Sequence, residues 1–149
     1  MPGNVIAMSR TTSGLSSALR VSVMRLSRRL RNERDVSDDM SSNQMAVLFT
    51  LARSGPLTIG DLAAEEKVQP PSMTRTVNSL VAKSLIVRGT HETDRRVAVI
   101  TLSDTGRSVI DESRRRKEAW LHQRLCELTP AQRQILRDAA PVLELLSRA

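Results

Sequence analysis

Apolar residues recur at helical spacing over most of the chain and form short β-prone runs in only one place. Residues 1 to about 12 mix Gly, Ser, Thr and Asn without periodicity and are expected to be loose. From Leu15 onward, Leu15, Ala18, Leu19, Val21, Val23, Leu26 and Leu30 form one broad stripe, with six arginines from Arg20 to Arg34 mostly off its centre. That is an amphipathic helix with a basic flank. The run after Asp35, VSDDMSS, breaks the period, and Ser41-Ser42-Asn43-Gln44 then has the form of a capping box. Met45, Val47, Leu48, Phe49, Leu51 and Ala52 make the following helix apolar enough to be central, and Ser54-Gly55-Pro56 ends it.

The stretch Thr58 to Leu102 organises the rest. Thr58 caps a short helix with Asp61 at its third position and Leu62 and Ala63 turned inward, and the turn Glu66 to Gln69 leads to Pro70. A proline is tolerated in a first helical turn because its missing N–H has no intrahelical partner there. In the helix that follows, Met73, Val77, Leu80 and Val81 mark the buried side. Pro71, Ser72, Arg75, Asn78 and Ser79 fall roughly opposite at about 100° per residue. Leu85 to Arg88 and Val97 to Leu102 are β-prone and flank a long polar tip, Gly89 to Arg96, which is the pattern of a hairpin. Ser103 caps a helix running to about Glu127, and Thr129-Pro130-Ala131-Gln132 starts a last one with a wide apolar face from Ile135 to Leu146. The first and last helices are too apolar to stand alone, which suggests packing against a second copy.

Charge turns this pattern into a functional expectation. The formal net charge is +7, and 20 of the 23 basic residues are arginine, whose fork pairs bidentately with phosphates and guanine edges. Between Lys67 and Arg107 there are seven basic and three acidic residues, a net of +4, so more than half of the excess sits in under a third of the chain. A helix-turn-helix followed by a hairpin with positive charge on both elements is expected to bind double-stranded DNA. The first turn of the second helix enters the major groove. Arg75 is the first candidate for a base contact, and Ser72 and Thr74 for phosphates or base edges. Asn78 is either an adenine reader or a plain exposed residue. Arg95 and Arg96 at the hairpin tip suit the minor groove, unless one of them pairs with Asp94 and stiffens the loop. The arginines of the first helix have two open readings, a DNA-facing flank of a dimer or a solvated face. The Arg114 to Lys117 run reads as a solvated segment.

Composition excludes several alternatives. Phe49 and Trp120 are the only aromatic residues, too few to stack single-stranded bases. Two distant histidines, one cysteine and no Gly-rich phosphate loop give no nucleophile, metal or cofactor constellation, so neither enzyme activity nor a cofactor is expected. His91 reads as a solvated loop residue. A lone Cys126 allows no intrachain disulfide, and there is neither a secretory apolar core nor a run near the ~20 residues of a membrane span, so a cytoplasmic protein is expected. A winged-helix module that binds protein instead of DNA is the competing class. It would lack a basic reader face.

The motifs PPSMTRTVNSLVAKSLIVR at 70–88 and TDRRVAVITLSDTGR at 93–107 resemble the MarR family of multiple-antibiotic-resistance regulators. The resemblance covers about residues 13 to 147. Thr74-Arg75 matches the family's Thr-Arg pair, Asp94 and Arg96 its Asp-x-Arg wing tip, and Leu102 to Gly106 its Leu-Thr-x-x-Gly, with Ser103 in place of Thr. Gln69 stands where the family often has a serine cap. The implied fold is mainly α with a small β-hairpin wing, a winged helix-turn-helix lobe at about 40–102 with dimerisation helices at about 13–34 and 103–147. The resemblance also implies a homodimer with interleaved terminal helices on a pseudo-palindromic operator. It further implies a pocket where a small lipophilic or phenolic effector releases DNA, so that the protein acts as a ligand-responsive repressor. Family members that sense oxidants use a first-helix cysteine, and this chain has none there.

Overall fold

The protein is described by a computed structural model over residues 11–33 and 39–149. Of the loose start expected for residues 1 to about 12, residues 1–10 lie outside the described residues, while Thr11 caps the first helix and Thr12 begins it; of the break after Asp35, residues 36–38 lie outside as well. Six helices and three short strands follow in order among those described: α1 (Thr12–Arg31), α2 (Ser42–Ser54), β1 (Leu57–Thr58), α3 (Ile59–Glu65), α4 (Pro70–Ala82), β2 (Ile86–Thr90), β3 (Ala98–Leu102), α5 (Asp104–Cys126) and α6 (Pro130–Ser147). The chain divides into two compact units. Described residues from Asp39 to Arg115 form one, and those of the two chain ends form the other.

Side chains at the element boundaries explain why the helices start where they do. Ser41 Oγ accepts from the Gln44 amide at 3.1 Å while Gln44 Oε1 accepts from the Ser41 amide at 3.0 Å, the reciprocal pair expected of a capping box. Thr129 and Gln132 repeat it at the start of α6. Thr58 Oγ1 accepts from the Asp61 amide at 3.1 Å, and Ser103 Oγ from the Gly106 amide at 3.0 Å. Gln69 makes no side-chain cap, and α4 begins instead on Pro70.

Two helix ends use a left-handed residue that is not glycine. Lys67 (φ 52°) follows α3 and Ser84 (φ 59°) follows α4. In each case the next amide reaches back five residues, Val68 N to Ala63 O and Leu85 N to Leu80 O, both at 3.0 Å. This satisfies carbonyls that a helix end leaves without partners and turns the chain sharply. The second of these turns sends the chain from α4 into β2 through residues 83–85 alone.

The sheet is antiparallel in the order β1-β3-β2, with Ile86↔Leu102 through Thr90↔Ala98 pairing the hairpin. Here the structure departs from the two-stranded expectation. Leu57↔Ile100 and Thr58↔Val99 add a third strand, so Thr58 is both a strand residue and the cap of α3. Strand β2 also runs two residues past the expected Arg88 while β3 starts one residue after the expected Val97, leaving residues 91–97 as the tip. The core of this lobe gathers Val47, Leu48 and Leu51 of α2, Leu62 of α3, Met73, Val77 and Leu80 of α4, Ile86 and Ile100 of the sheet, and Ile110 of α5. Val81, expected on the buried side of α4, is 36% exposed. At about 100° per residue it lies about 80° from Met73, at the margin of the arc that Val77 and Leu80 occupy.

In the other unit α1 and α6 bury no side chain fully. Leu15, Val23, Met24 and Leu26 are exposed on α1, and Ile135, Leu136, Val142, Leu143, Leu145 and Leu146 on α6. The Arg29 guanidinium lies 4.9 Å from the centre of the Trp120 ring. It also pairs with Glu33 at 3.1 Å, so this member of the basic flank has partners within the chain. No helix among the described residues is long and apolar enough to cross a membrane.

Candidate nucleic-acid interface

Helix α4 is divided lengthwise. Met73, Val77 and Leu80 are buried in the core, whereas Pro71, Ser72, Arg75 and Asn78 are exposed. Ser72, Arg75 and Asn78 follow each other at three-residue steps, which brings them close along one outer strip. Arg75 Nη2 donates to Ser72 Oγ at 3.4 Å, a long bond that leaves most of the guanidinium's donors open. Thr74 is set apart from this strip. It is half-buried and its hydroxyl donates to Pro70 O at 3.0 Å, so its proton is engaged within the helix. Asn78 Oδ1 accepts from Arg88 Nη2 of β2, a link across the sharp turn between helix and strand.

The hairpin tip is held by its own side chains. Asp94 Oδ1 accepts from the Arg96 amide at 3.0 Å and from Arg96 Nε at 3.2 Å, and Asp94 Oδ2 faces Arg96 Nη2 at 3.4 Å. The Arg96 side chain beside it, and then the Arg96 amide, hold the Asp94 carboxyl below the ordinary aspartate range, with a smaller contribution from His91. Of the two tip arginines, Arg96 is therefore the one paired with Asp94, although its side chain is still 91% exposed. Arg95 is exposed and makes no ion pair among the described residues. His91 is exposed as expected, and its Nδ1 accepts from the Thr93 amide at 3.2 Å, which folds the tip back on itself.

One support of this surface joins residues far apart in sequence, and no local pattern announces it. Gln44, besides completing the cap of α2, donates from Nε2 to Ser79 Oγ of α4 at 2.7 Å, and Lys83 Nζ donates to Gln44 Oε1 at 3.4 Å and to Asp39 O. These bonds brace the C-terminal half of α4 against the start of α2. The capping-box signal identified Gln44, but its amide has two ends and the second one serves α4.

Comparison with known proteins fits this geometry. The model of the MarR family matches residues 40–98, from the start of α2 to the return strand of the hairpin. An uncharacterized HTH-type transcriptional regulator from Mycobacterium bovis is 41% identical over 129 residues, which is 87% of this chain and 90% of its own length. Among solved structures, a protein from Pseudomonas aeruginosa superposes with a TM-score of 0.79 at 30% identity, over 93% of this chain and 99% of its own. A MepR mutant from S. aureus bound to an oligodeoxyribonucleotide has the same fold, with a TM-score of 0.67 at 18% identity over 90% of this chain and 96% of its own. With one relative matching nearly end to end and the family's own pattern lying on the helix-turn-helix and wing, the chain belongs to the MarR family of HTH-type transcriptional regulators.

Proposed function

We propose that the protein is a homodimeric repressor that binds a pseudo-palindromic DNA duplex. In this reading α4 lies in the major groove and the 91–97 tip in the adjacent minor groove. One observation carries it: Arg75 and Ser72 stand on the exposed strip of a helix whose opposite side is locked into the core. Arg75 takes a base edge, Ser72 donates its hydroxyl proton to a base edge or a phosphate, Thr74, its proton held by Pro70 O, accepts from a donor on a base edge, and Pro71 sets the depth of the first turn. Arg95 enters the minor groove as the freer cation, while Asp94 presents Arg96 at a fixed angle. The MepR complex with an oligodeoxyribonucleotide supports the use of this fold on DNA.

The lobe at about 40–102 is the DNA-binding half of each subunit, and the helices at about 13–34 and 103–147 pair the two copies. The exposed aliphatic side chains of α1 and α6 supply the apolar area that such pairing buries. Release by a small lipophilic or phenolic effector would then be a coupling between two binding events, typically ~1–3 kcal/mol. The protein acts in the reducing cytoplasm, where Cys126 stays a thiol.

Duplexes enriched from a random library by the purified protein supply the test, read by fluorescence anisotropy. Arg75→Ala is expected to weaken binding by about 1–3 kcal/mol and to relax discrimination at one base pair, whereas Arg96→Ala weakens all duplexes alike and flattens the salt dependence. If both variants bind as the parent does, α4 and the tip are not the DNA surface.

A further inference from the structure

Asn78 and Arg88 are both exposed, one on α4 and one on β2, and the Arg88 guanidinium donates to Asn78 Oδ1 across the turn. A guanidinium carries donors only, so the amide atom facing it has to be the carbonyl oxygen. Asparagine reads adenine with both ends of its amide, accepting from N6 through oxygen and donating to N7 through nitrogen. One lone pair of the Asn78 oxygen is already taken by Arg88, which ties the amide to the guanidinium. The groups left to the pair are then mainly donors, the Asn78 NH2 and the unused N–H groups of Arg88.

We propose that Asn78 and Arg88 act as one donor-rich unit at the junction of reader helix and wing. The unit favours hydrogen-bond acceptors on DNA, either a guanine N7/O6 edge or a phosphate oxygen, over the adenine edge, where N6 is a donor. The proposal rests on α4 being the helix that faces DNA. Two further observations support it. Arg75 and Arg88 form no ion pair among the described residues, so no carboxylate competes with DNA for either cation. The turn from α4 to β2 is fixed by Leu85 N to Leu80 O and by Ser103 Oγ donating to Ser84 O at 2.7 Å, which holds the two partners in register. Arg88 is thus placed by Asn78 without relying on the hairpin tip.

The test starts from duplexes that the parent protein enriches from a random library. Binding of Asn78→Ala, Arg88→Ala and the double variant is measured on the best duplex, and the selection is repeated with each single variant. Each single change is expected to weaken binding on the order of tenfold. The double variant should be no weaker than the weaker single, as for two residues acting as one. If the acceptor is a base, both singles lose the same guanine preference, and 7-deazaguanine at that position reproduces the loss with the parent. If it is a phosphate, no base preference changes and the salt slope falls by about one. An adenine preference lost in Asn78→Ala but kept in Arg88→Ala overturns the proposal, as do additive losses. Arg75→Ala serves as the control. If it loses binding while both single variants bind as the parent does, this proposal fails and the DNA reading stands. A parent that enriches no duplex overturns both.

Discussion

A Cβ placed on Gly106 would lie 2.1 Å from the carbonyl oxygen of Leu85, so the first turn of α5 rests directly on the backbone between α4 and β2. The same carbonyl accepts from the Ser103 amide at 3.1 Å, which leaves it little freedom to move. Gly106→Ala is therefore expected to destabilise the lobe by about 1–3 kcal/mol or more, since the obstacle is backbone and cannot rotate away. Denaturant unfolding of the two proteins side by side measures this. Equal midpoints would mean that α5 slides outward at no cost.

Ser84 gives a change of the opposite sign. Its left-handed φ of 59° places its Cβ in a conformation that glycine adopts freely. Its backbone carbonyl, not its side chain, receives the bond from Ser103, so substitution leaves that bond in place. Ser84→Gly should stabilise the protein by about 0.5–1 kcal/mol after allowing for glycine's greater freedom in the unfolded chain. A thermal melt that moves down instead would show that the hydroxyl has a role of its own.

Much of this architecture is legible in the sequence because its signals are local. Ser41, Thr58, Ser103 and Thr129 are side chains that bond to amides three residues away, and the residues needed for that are adjacent in the chain. The split of α4 into core and outer strip follows in the same way from helical spacing, apart from Val81 at its margin and Ser79, expected on the outer side but half-buried against Gln44. What escaped depends on tertiary distance. Strand β1 is two residues long, too short to alternate, and Thr58 announces itself only as a cap. The Asn78–Arg88 link joins residues ten apart whose meeting depends on the turn at Ser84, and nothing in either residue type announces it. The pairing of Asp94 with one tip arginine was foreseeable, but which arginine it would be was settled by the backbone amide of Arg96 also turning toward the carboxylate.

Asp94 offers a pH readout of the tip. Its folded pKa is lowered, chiefly by the Arg96 side chain and then by the Arg96 amide. A lowered carboxyl pKa means that the pairing contributes fully above the unfolded aspartate value and is lost as pH falls through the lower folded value. At neutral pH the tip therefore holds its form, and the loss sets in as pH falls through the ordinary aspartate value and is complete below the lowered folded one. A carboxyl-carbon NMR titration should place Asp94 below an unfolded reference, and Arg96→Gln should raise it. A midpoint unchanged by that substitution would remove the side-chain bond as the cause.

The exposed faces of the terminal helices make a quantitative claim about assembly. Ile135 is 66% and Leu145 72% exposed on α6, and burial of each such side chain is worth about 1.5–3 kcal/mol. In a two-fold dimer each substitution acts in both subunits. Ile135→Glu with Leu145→Glu should give a monomer by sedimentation at concentrations where the parent is dimeric, with a large loss of affinity for a two-half-site duplex. A parent that sediments as a monomer would dispose of the paired arrangement.

Strand β3 lies between β1 and β2, and this has a consequence for how the protein behaves when crowded. A bare strand edge invites a neighbouring molecule to add its own strand. Here the central strand has a partner on each side, and the outer strands are poor templates. One is only two residues long and follows Pro56, and the other carries Arg88 and Gly89 at its middle. The sheet therefore offers a neighbouring molecule little edge to extend, even where copies of the protein are crowded together.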